Sequence, residues 1–457
     1  MTPLETLAAW ASALRPADIP AEQHGLARLR LLDTLGLIAA ASAEPVCRST
    51  LQWAESYSGG GSATIIVAGR RASLAIAALV HGTLAHARDF DDTFPASVVH
   101  PGSVVVPAAL GVGEQTGAGF PELTAAIVLG YEIAARLGQV AGRGFHVRGF
   151  HATGIVGPIA AAATAAHLLK LDAAATADAL GLATSMSGGL MAFLADGAWS
   201  KWLHTGWSAH GGIIAAELAR AAFRGPHHGL DHAFGLFGAF LGDDPTRDYG
   251  SLTQDLGMHW RGAAALPKLY PCAHVIHPFI DAALALRSKG EAKVDQIRSI
   301  RCTVAPWAYP IVCAPREAKL APRTDLDAIA SLPFMLAAAL CDGAINLDTL
   351  RPAALRRDDV LQLAARIECD TAESLGAGFD GVIRIIRPDG EIVQPVALAA
   401  ADADRVRRKF HSNAAYLYAP AAADALAAVV LEGEPGAREI MRLASAAARI
   451  DGTQFEG

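Results

Sequence analysis

Residues 153–171 read TGIVGPIAAAATAAHLLKL. A run this long and apolar is either a membrane span or a helix buried inside a globular protein, and the choice between them decides the fold. Its bulk is alanine, which contributes little to insertion, and Gly154, Gly157, Pro158, His167 and Lys170 interrupt it. It is therefore read as a buried helix. The surrounding sequence agrees: Leu26, Leu29, Leu32 and Leu35 recur at helical spacing, as do Leu74, Ala77, Ala78 and His81, and Leu123, Ile127, Gly130, Ile133 and Leu137. Small faces at Ala160–Ala163, Gly211, Gly212, Ala215 and Ala216 suit helices enclosed on several sides. The helical signal runs from residue 3 to about 265.

The pattern changes after Pro267. SIRCTVAP (299–306) and RIECD (366–370) read as strands, and GVIRIIRPDGEIVQPVAL (381–398) alternates on both sides of Pro388-Asp389-Gly390, a hairpin signal. Between them, SLPFMLAAALCDG (331–343) reads as a helix closed by Gly343. RVRRKFHSNAAYLYAP and the run 421–450 are helical again. The expected fold is mainly α: an all-helical domain from residues 1–266 and 400–457, built from both termini, with an α+β domain at 267–399. No internal repeat is present.

A chain of 457 residues with 52% hydrophobic content can bury a large core. Its 38 basic and 45 acidic residues leave a formal charge of −7 with no basic run, which disfavours nucleic acid and anionic lipid as partners. MTPLETLAAWASALRPADIP lacks the charged and apolar regions of a signal peptide, so a cytoplasmic location is expected. The six cysteines, at 47, 272, 302, 313, 341 and 369, form no CxxC pair and imply reduced thiols without a redox role.

The chemistry gathers in HARDFDDTFPASVVHPGS (86–103). Asp89, Asp91 and Asp92 cannot share one helical face, and a run of acids in a loop is commonly solvated. Phe90, Phe94 and the apolar VVHPGSVVVPAAL argue instead for a segment drawn into the core, where carboxylates need a cation or backbone amides. His100, His151, His204, His274 and His277 each sit beside a Gly, Pro or turn residue at a helix entrance. GFHATGIVGP (149–158) places His151 and Thr153 at a helix start, which favours a bound anion. SKWLHTGWSAHGG sets Lys201 and His204 just before another helix, and LPKLYPCAHVIHP adds Lys268, His274 and His277 at the expected domain junction. Cations for carboxylates and imidazoles that move protons near neutral pH are what abstraction of a proton beside a carboxylate requires.

A metal site of Asp and His ligands is the competing reading, but no HExxH spacing supports it and the lysines oppose a cation, so no metal is expected. The glycines at 59–61 precede a strand-like ATIIVAG and make no phosphate loop; no GxSxG elbow is present. No cofactor is expected. PHHGLDH (226–232) reads as a polar loop between helices.

In order, DFDDTFPASVVHP, GFHATGIVGPIAAAATAAHLL, KWLHTGWSAHGGIIAAELA, KLYPCAHVIHPFIDAAL, SLPFMLAAALCDG and RRKF resemble the MmgE/PrpD family along nearly the whole chain. That family includes 2-methylcitrate dehydratase, cis-aconitate decarboxylase and iminodisuccinate epimerase. The resemblance implies a large all-α domain from both termini, a smaller α+β lid domain, a homodimer and a cofactor-free site for a small polycarboxylate. It implies site roles for Asp89, Thr93, His100, His151, Lys201 and Lys268. Ala273 stands where the decarboxylases have a pocket histidine, with His274 next to it, and their pocket tyrosine falls near Arg316. Those departures point away from decarboxylation of cis-aconitate, and the DD-[ST]-FP wording is similar to the epimerase type.

The expected activity is a dehydratase-type lyase that abstracts a proton α to a carboxylate. The alternatives are an epimerase of an amino- or hydroxy-dicarboxylate, a cis-aconitate-type decarboxylase, or a non-catalytic metabolite-binding dimer. His151 and His100 are the expected base and acid, with Asp89 orienting an imidazole or cation. Lys201, Lys268 and Arg316 are expected to clamp carboxylates, and Thr93, His204, His274 and His277 to contact substrate. RRKFHSN (407–413) reads as packing between the two domains.

Overall fold

The structure is a computed structural model that describes residues 1–57, 60–376, 378–399 and 402–446. Gly59 of the glycine run, residue 400 at the expected return to the helical domain, and residues 447–457 lie outside the described residues. Two compact units are present: Met1–Pro267 with Asp402–Gly457, and Lys268–Ala401.

The longer helices of the first unit, in chain order, are α1 (Pro3–Ala13), α2 (Ala21–Ala40), α3 (Pro45–Glu55), α4 (Leu74–Ala85), α5 (Gly102–Thr116), α6 (Phe120–Ala141), α7 (Ala152–Leu168), α8 (Ala173–Thr184) and α9 (Ser200–Arg220). Helix α7 is the run TGIVGPIAAAATAAHL, and every residue in it except His167 is buried. It packs against α5, α6, α8 and α9, so its apolar surface is met by protein on all sides. Alanine and glycine make this possible: a Cβ on Gly212 of α9 would lie 2.5 Å from Ala161 Cβ of α7. Among the described residues one helix, α6, is long and apolar enough to cross a membrane, and 89% of its most apolar window is buried inside the protein.

The helices of this part of the chain are interrupted in two places, the first of them within the strand-like ATIIVAG. Ala63–Ile65 (β1) and Arg70–Ala72 (β2) form a short antiparallel hairpin. Residues 221–267 are mostly turns around the short helix Leu236–Leu241, because Gly225, Pro226, Gly229 and Gly235 interrupt any longer helix. The histidines of PHHGLDH do lie in that irregular stretch, with His227 bridging Glu5 of α1 and Asp178 of α8.

The second unit is built on a four-stranded mixed sheet of β3 (Ser299–Val304), β4 (Ile367–Thr371), β5 (Gly381–Arg387) and β6 (Gly390–Val396) in the order β4-β3-β5-β6. Strands β3 and β4 run parallel, while β3/β5 and β5/β6 are antiparallel. Helices α10 (His277–Ser288) and α11 (Leu332–Asp342) belong to this unit. Ser331 caps α11 by accepting from Phe334 N–H, and Gly343 ends it at φ +73°, the left-handed position that glycine fills without strain.

The chain then contributes α12 (Ala403–Ala414), α13 (Pro420–Glu432) and α14 (Ala437–Ala446) to the first unit. Helix α12 lies along α2, and the RRKF segment does its work there, inside the first unit. Lys409 Nζ is buried, 2.7 Å from Asp33 Oδ1 of α2, and donates to Phe90 O at 2.7 Å while lying over the Phe90 ring. Burial pushes the Asp33 carboxyl up and the Lys409 ammonium down, so each charge persists through its partner. Lys409→Ala or Asp33→Ala should each lose about 3–5 kcal/mol in denaturant titrations, because each leaves one buried charge without its partner. The double variant Lys409→Met/Asp33→Leu should recover most of that loss.

Candidate active site

The acidic stretch links α4 to α5, and it is not a solvated surface loop. Asp91 and Asp92 are 1% and 4% exposed. Each carboxylate has its own donors, as burial demands. Asp92 Oδ1 accepts from Gly102 N–H at 2.9 Å and Oδ2 from Tyr131 Oη–H at 2.5 Å. A Cβ at Gly102 would stand 2.7 Å from both the Asp92 carboxylate and the Tyr131 hydroxyl, so only glycine admits this contact. Burial pushes Asp92 up to about 6 against the pull of Tyr131 and Arg30. Asp91 Oδ2 accepts from Ser103 Oγ–H at 2.5 Å, and its Oδ1 lies 2.8 Å from His86 Nδ1.

Asp89 is half-turned outward. It holds φ +50°, a conformation that costs a non-glycine residue energy and is retained where the surroundings require it. Lys201 Nζ lies 2.8 Å from Asp89 Oδ1, and His100 Nε2 lies 3.7 Å from the same oxygen. His100 Nδ1 is 2.8 Å from Asp92 O; a carbonyl can only accept, so Nδ1 carries the proton there. Thr153 Oγ1 accepts from His100 N–H at 3.0 Å, which joins the start of α7 to the approach to α5. Thr153 Oγ1 is thus engaged by protein as an acceptor. Thr93 pairs by its backbone with Leu266 and is buried, its Oγ1 3.4 Å from His100 Nδ1.

Around this loop the helix ends bring up a cluster of imidazoles. His86 caps the C-terminus of α4 and His151 the N-terminus of α7; their rings stack with centroids 5.6 Å apart. His100 lies 4.9 Å from His86 and 5.9 Å from His151. His204 Nδ1 is 3.1 Å from His151 Nδ1. Lys201 and His204 lie within the first two turns of α9, not ahead of it as the sequence suggests. Gly189, at φ +135°, lets its chain pass the His204 ring and accept from His151 N–H at 3.0 Å.

Burial, with Lys201 and the neighbouring imidazoles adding to it, holds His151 well below the ordinary histidine range. His204 is lowered to about 4, by burial first and then by His86 and Lys201. Both are therefore neutral at pH 7. Among the described residues, the buried His86 Nε2 and His151 Nε2 have no hydrogen-bond partner. Two such nitrogens in a polar cluster mark a place where a ligand can be bound or a proton moved.

Nitrogens of His86, His100 and His151, and donor atoms of His86, Asp89, Asp91 and His100, lie within 4.8 Å of one another, close enough to share a divalent cation. In the second of these groups the charges are already matched: the Lys201 ammonium neutralises Asp89, and His86 Nδ1 engages Asp91.

Six expected residues thus meet in the first unit: Asp89, Thr93, His100, His151, Lys201 and His204. Sequence reasoning passed over His86, although the quoted stretch begins with it. The signal available was an Asp five residues away able to orient its ring. The other four lie in the second unit. Lys268 is 3% exposed; His274 and His277 are buried with ring centroids 4.6 Å apart. Arg316 is exposed in the short helix Arg316–Leu320, and its guanidinium donates to the carbonyls of Ile367 at 2.7 Å and Ala365 at 3.3 Å. These bonds anchor the Arg316 guanidinium beside β4.

Comparison with known proteins places this geometry in context. The MmgE/PrpD N-terminal domain model matches residues 5–248 and the MmgE/PrpD C-terminal domain model residues 270–433. A cis-aconitate decarboxylase-like protein of Aspergillus oryzae is 29% identical over 378 residues, 79% of this chain and 78% of that protein. The cis-aconitate decarboxylase of Aspergillus terreus is 25% identical over 408 residues, covering 84% and 82%. The mouse (Mus musculus) cis-aconitate decarboxylase is 28% identical over 369 residues, covering 77% and 72%. With both halves matched in order along most of its length, the chain belongs to the MmgE/PrpD family.

Proposed function

We propose that this chain is a lyase that acts on a small di- or tricarboxylic acid by moving a proton at a carbon next to a carboxylate, using its own side chains. The observation that carries the reading is the buried, unpartnered Nε2 of neutral His151, set against His86 and beside the Lys201–Asp89 pair. A substrate carboxylate is drawn to Lys201, whose position Asp89 fixes. Neutral His151 takes the proton from the adjacent carbon, and the enediolate-like charge that forms is stabilised by the fixed ammonium. His100, held by its Nδ1 proton on Asp92 O, is the partner that exchanges a proton at the leaving group.

Loss of a β-hydroxyl makes the reaction a dehydration. The named relatives favour a second reading, decarboxylation, in which carbon dioxide leaves and the carbanion takes a proton from a group that begins protonated, as the Lys201 ammonium does. Return of the proton on the opposite face would make the reaction an epimerisation. The reaction class is tested by proton NMR in D₂O with citrate-, aconitate-, malate- and aspartate-type acids. An olefin from a hydroxy acid supports dehydration, carbon dioxide with a deuterated product supports decarboxylation, and exchange with inversion alone supports epimerisation. No exchange or turnover with any of these acids would count against carbon-acid chemistry and for a binding role. Activity unchanged after chelation and free of stoichiometric metal by elemental analysis is the expected result; recovery only on adding a divalent ion would overturn the cofactor-independent reading.

His151→Ala should lower kcat by about 10²–10⁴-fold with the circular dichroism spectrum retained. The base must be neutral to work, and His151 is held well below the ordinary range, so the acid limb of kcat/KM should fall below pH 6.5. Lys201→Met removes one of the influences that lower His151, and should shift that limb to higher pH in its residual activity.

The homodimer implied by the family resemblance is likewise proposed. Leu190, Leu194, Trp199, Leu203 and Trp207 are exposed on and just ahead of α9, beside a surface cavity of about 780 Å³. A second copy is the occupant proposed for this apolar face. Light scattering should give twice the chain mass, and Leu203→Glu/Trp207→Glu should give the monomer.

A further inference from the structure

The six cysteines are scattered in sequence, yet the fold of the second unit gathers three of them. Cys302 on β3 and Cys369 on β4 are direct partners in the parallel register, so their side chains leave the same face of the sheet. Cys313 ends the short helix Tyr309–Val312, which packs against β4. Cys302 and Cys313 are buried, while Cys369, on an edge strand of the sheet, is the least buried of the three. The guanidinium of Arg316, fixed by its bonds to the carbonyls of Ala365 and Ile367, flanks the same strand.

The three sulfurs are not equivalent. The neighbouring thiols of Cys302 and Cys313, and then the positive field of Arg316, lower Cys369 to about 5 against its burial. Burial pushes Cys302 up, and the neighbouring Cys369 followed by burial pushes Cys313 up, so both remain protonated. A cation beside the cluster disfavours a soft metal ion and favours a nucleophilic thiolate.

We propose that Cys369 is a hydroperoxide-sensitive thiolate and that Cys313 is its resolving partner. The Cys369 thiolate attacks the terminal oxygen of a hydroperoxide, breaking the O–O bond. The products are Cys369 sulfenic acid and an alkoxide or hydroxide, which takes a proton from water. The Cys313 sulfur then attacks the Cys369 sulfur, and its proton leaves with the hydroxyl as water. Two thiols have been oxidised to one disulfide and one peroxide bond reduced. Cys313 is chosen over Cys302 because β3 is an inner strand, hydrogen-bonded to both β4 and β5, whereas Cys313 lies off the sheet at a helix end and can move.

The test uses the whole protein. Iodoacetamide at about pH 6 should alkylate Cys369 at least ~10-fold faster than Cys341, which is exposed to a similar degree but whose thiol is raised by burial. One equivalent of hydrogen peroxide should remove two thiols and about 2 Da of mass, with peptide mapping locating a Cys313–Cys369 link that dithiothreitol reverses. In Cys313→Ser, dimedone should trap the sulfenic acid at Cys369, and in Cys369→Ser the thiol count should be unchanged by the same dose. Equal alkylation of Cys341 and Cys369, a link from Cys369 to Cys302, or oxidation spread over all six cysteines would overturn the proposal.

Discussion

A single buried ammonium organises the first unit. Lys409 arrives on α12 from the far end of the sequence and places its charge between the Asp33 carboxylate of α2 and the carbonyl of Phe90. An isolated ion in that position would be strongly unfavourable, so all three groups must be present together. Helix α2 is thereby joined to α12, and the loop that begins the acidic stretch is fixed at Phe90, between Asp89 and Asp91. The flanking residues have their directions set by this anchor: Asp91 and Asp92 turn inward to their donors, and Asp89 turns toward Lys201.

The site built on this anchor separates charge from neutrality over a few ångströms. On one side stands an ion pair, Asp89 with Lys201; on the other, imidazoles kept uncharged by burial and by that same lysine. The two are held by helix ends, with His86 closing α4 and His151 opening α7. Helix ends suit this work because their backbone is fixed by the helix while the side chain points beyond it. The asymmetry allows one place to hold a carboxylate and the next to accept a proton.

Much of this could be read from the sequence where the cause was local. The hairpin at 381–396 follows from alternation around Pro388-Asp389-Gly390, and the end of α11 from Gly343, because turn geometry depends on a few adjacent residues. The buried nature of α7 follows from alanine content interrupted by glycine and proline. The acids and His100, His151, Lys201 and His204 stood out as polar residues in apolar surroundings. What escaped the sequence depends on contacts between distant segments. His86 acquires meaning only when Asp91 folds back on it and α7 brings His151 onto its ring. Arg316 stood out as a cation, but its bonds to the carbonyls of Ile367 and Ala365 exist only in the fold. The Cys302–Cys369 neighbourhood exists only in the register of β3 against β4, which no spacing in the chain encodes. In residues 221–267, glycine and proline outweighed a weak helical period.

The Lys409–Asp33 pair spans 376 positions of chain. During synthesis, Asp33 is made early and its counter-charge late, so α2 holds an uncompensated acid through most of translation. The continuous segment 268–401 has all its own strands before Lys409 exists, whereas the helical unit receives its helices in two instalments. The acidic loop shares this delay, since Phe90 O has no ammonium to hold it until α12 is made. Order of final arrangement thus departs from order of synthesis: residues near position 90 gain their anchoring contact only after residue 409 has joined the chain.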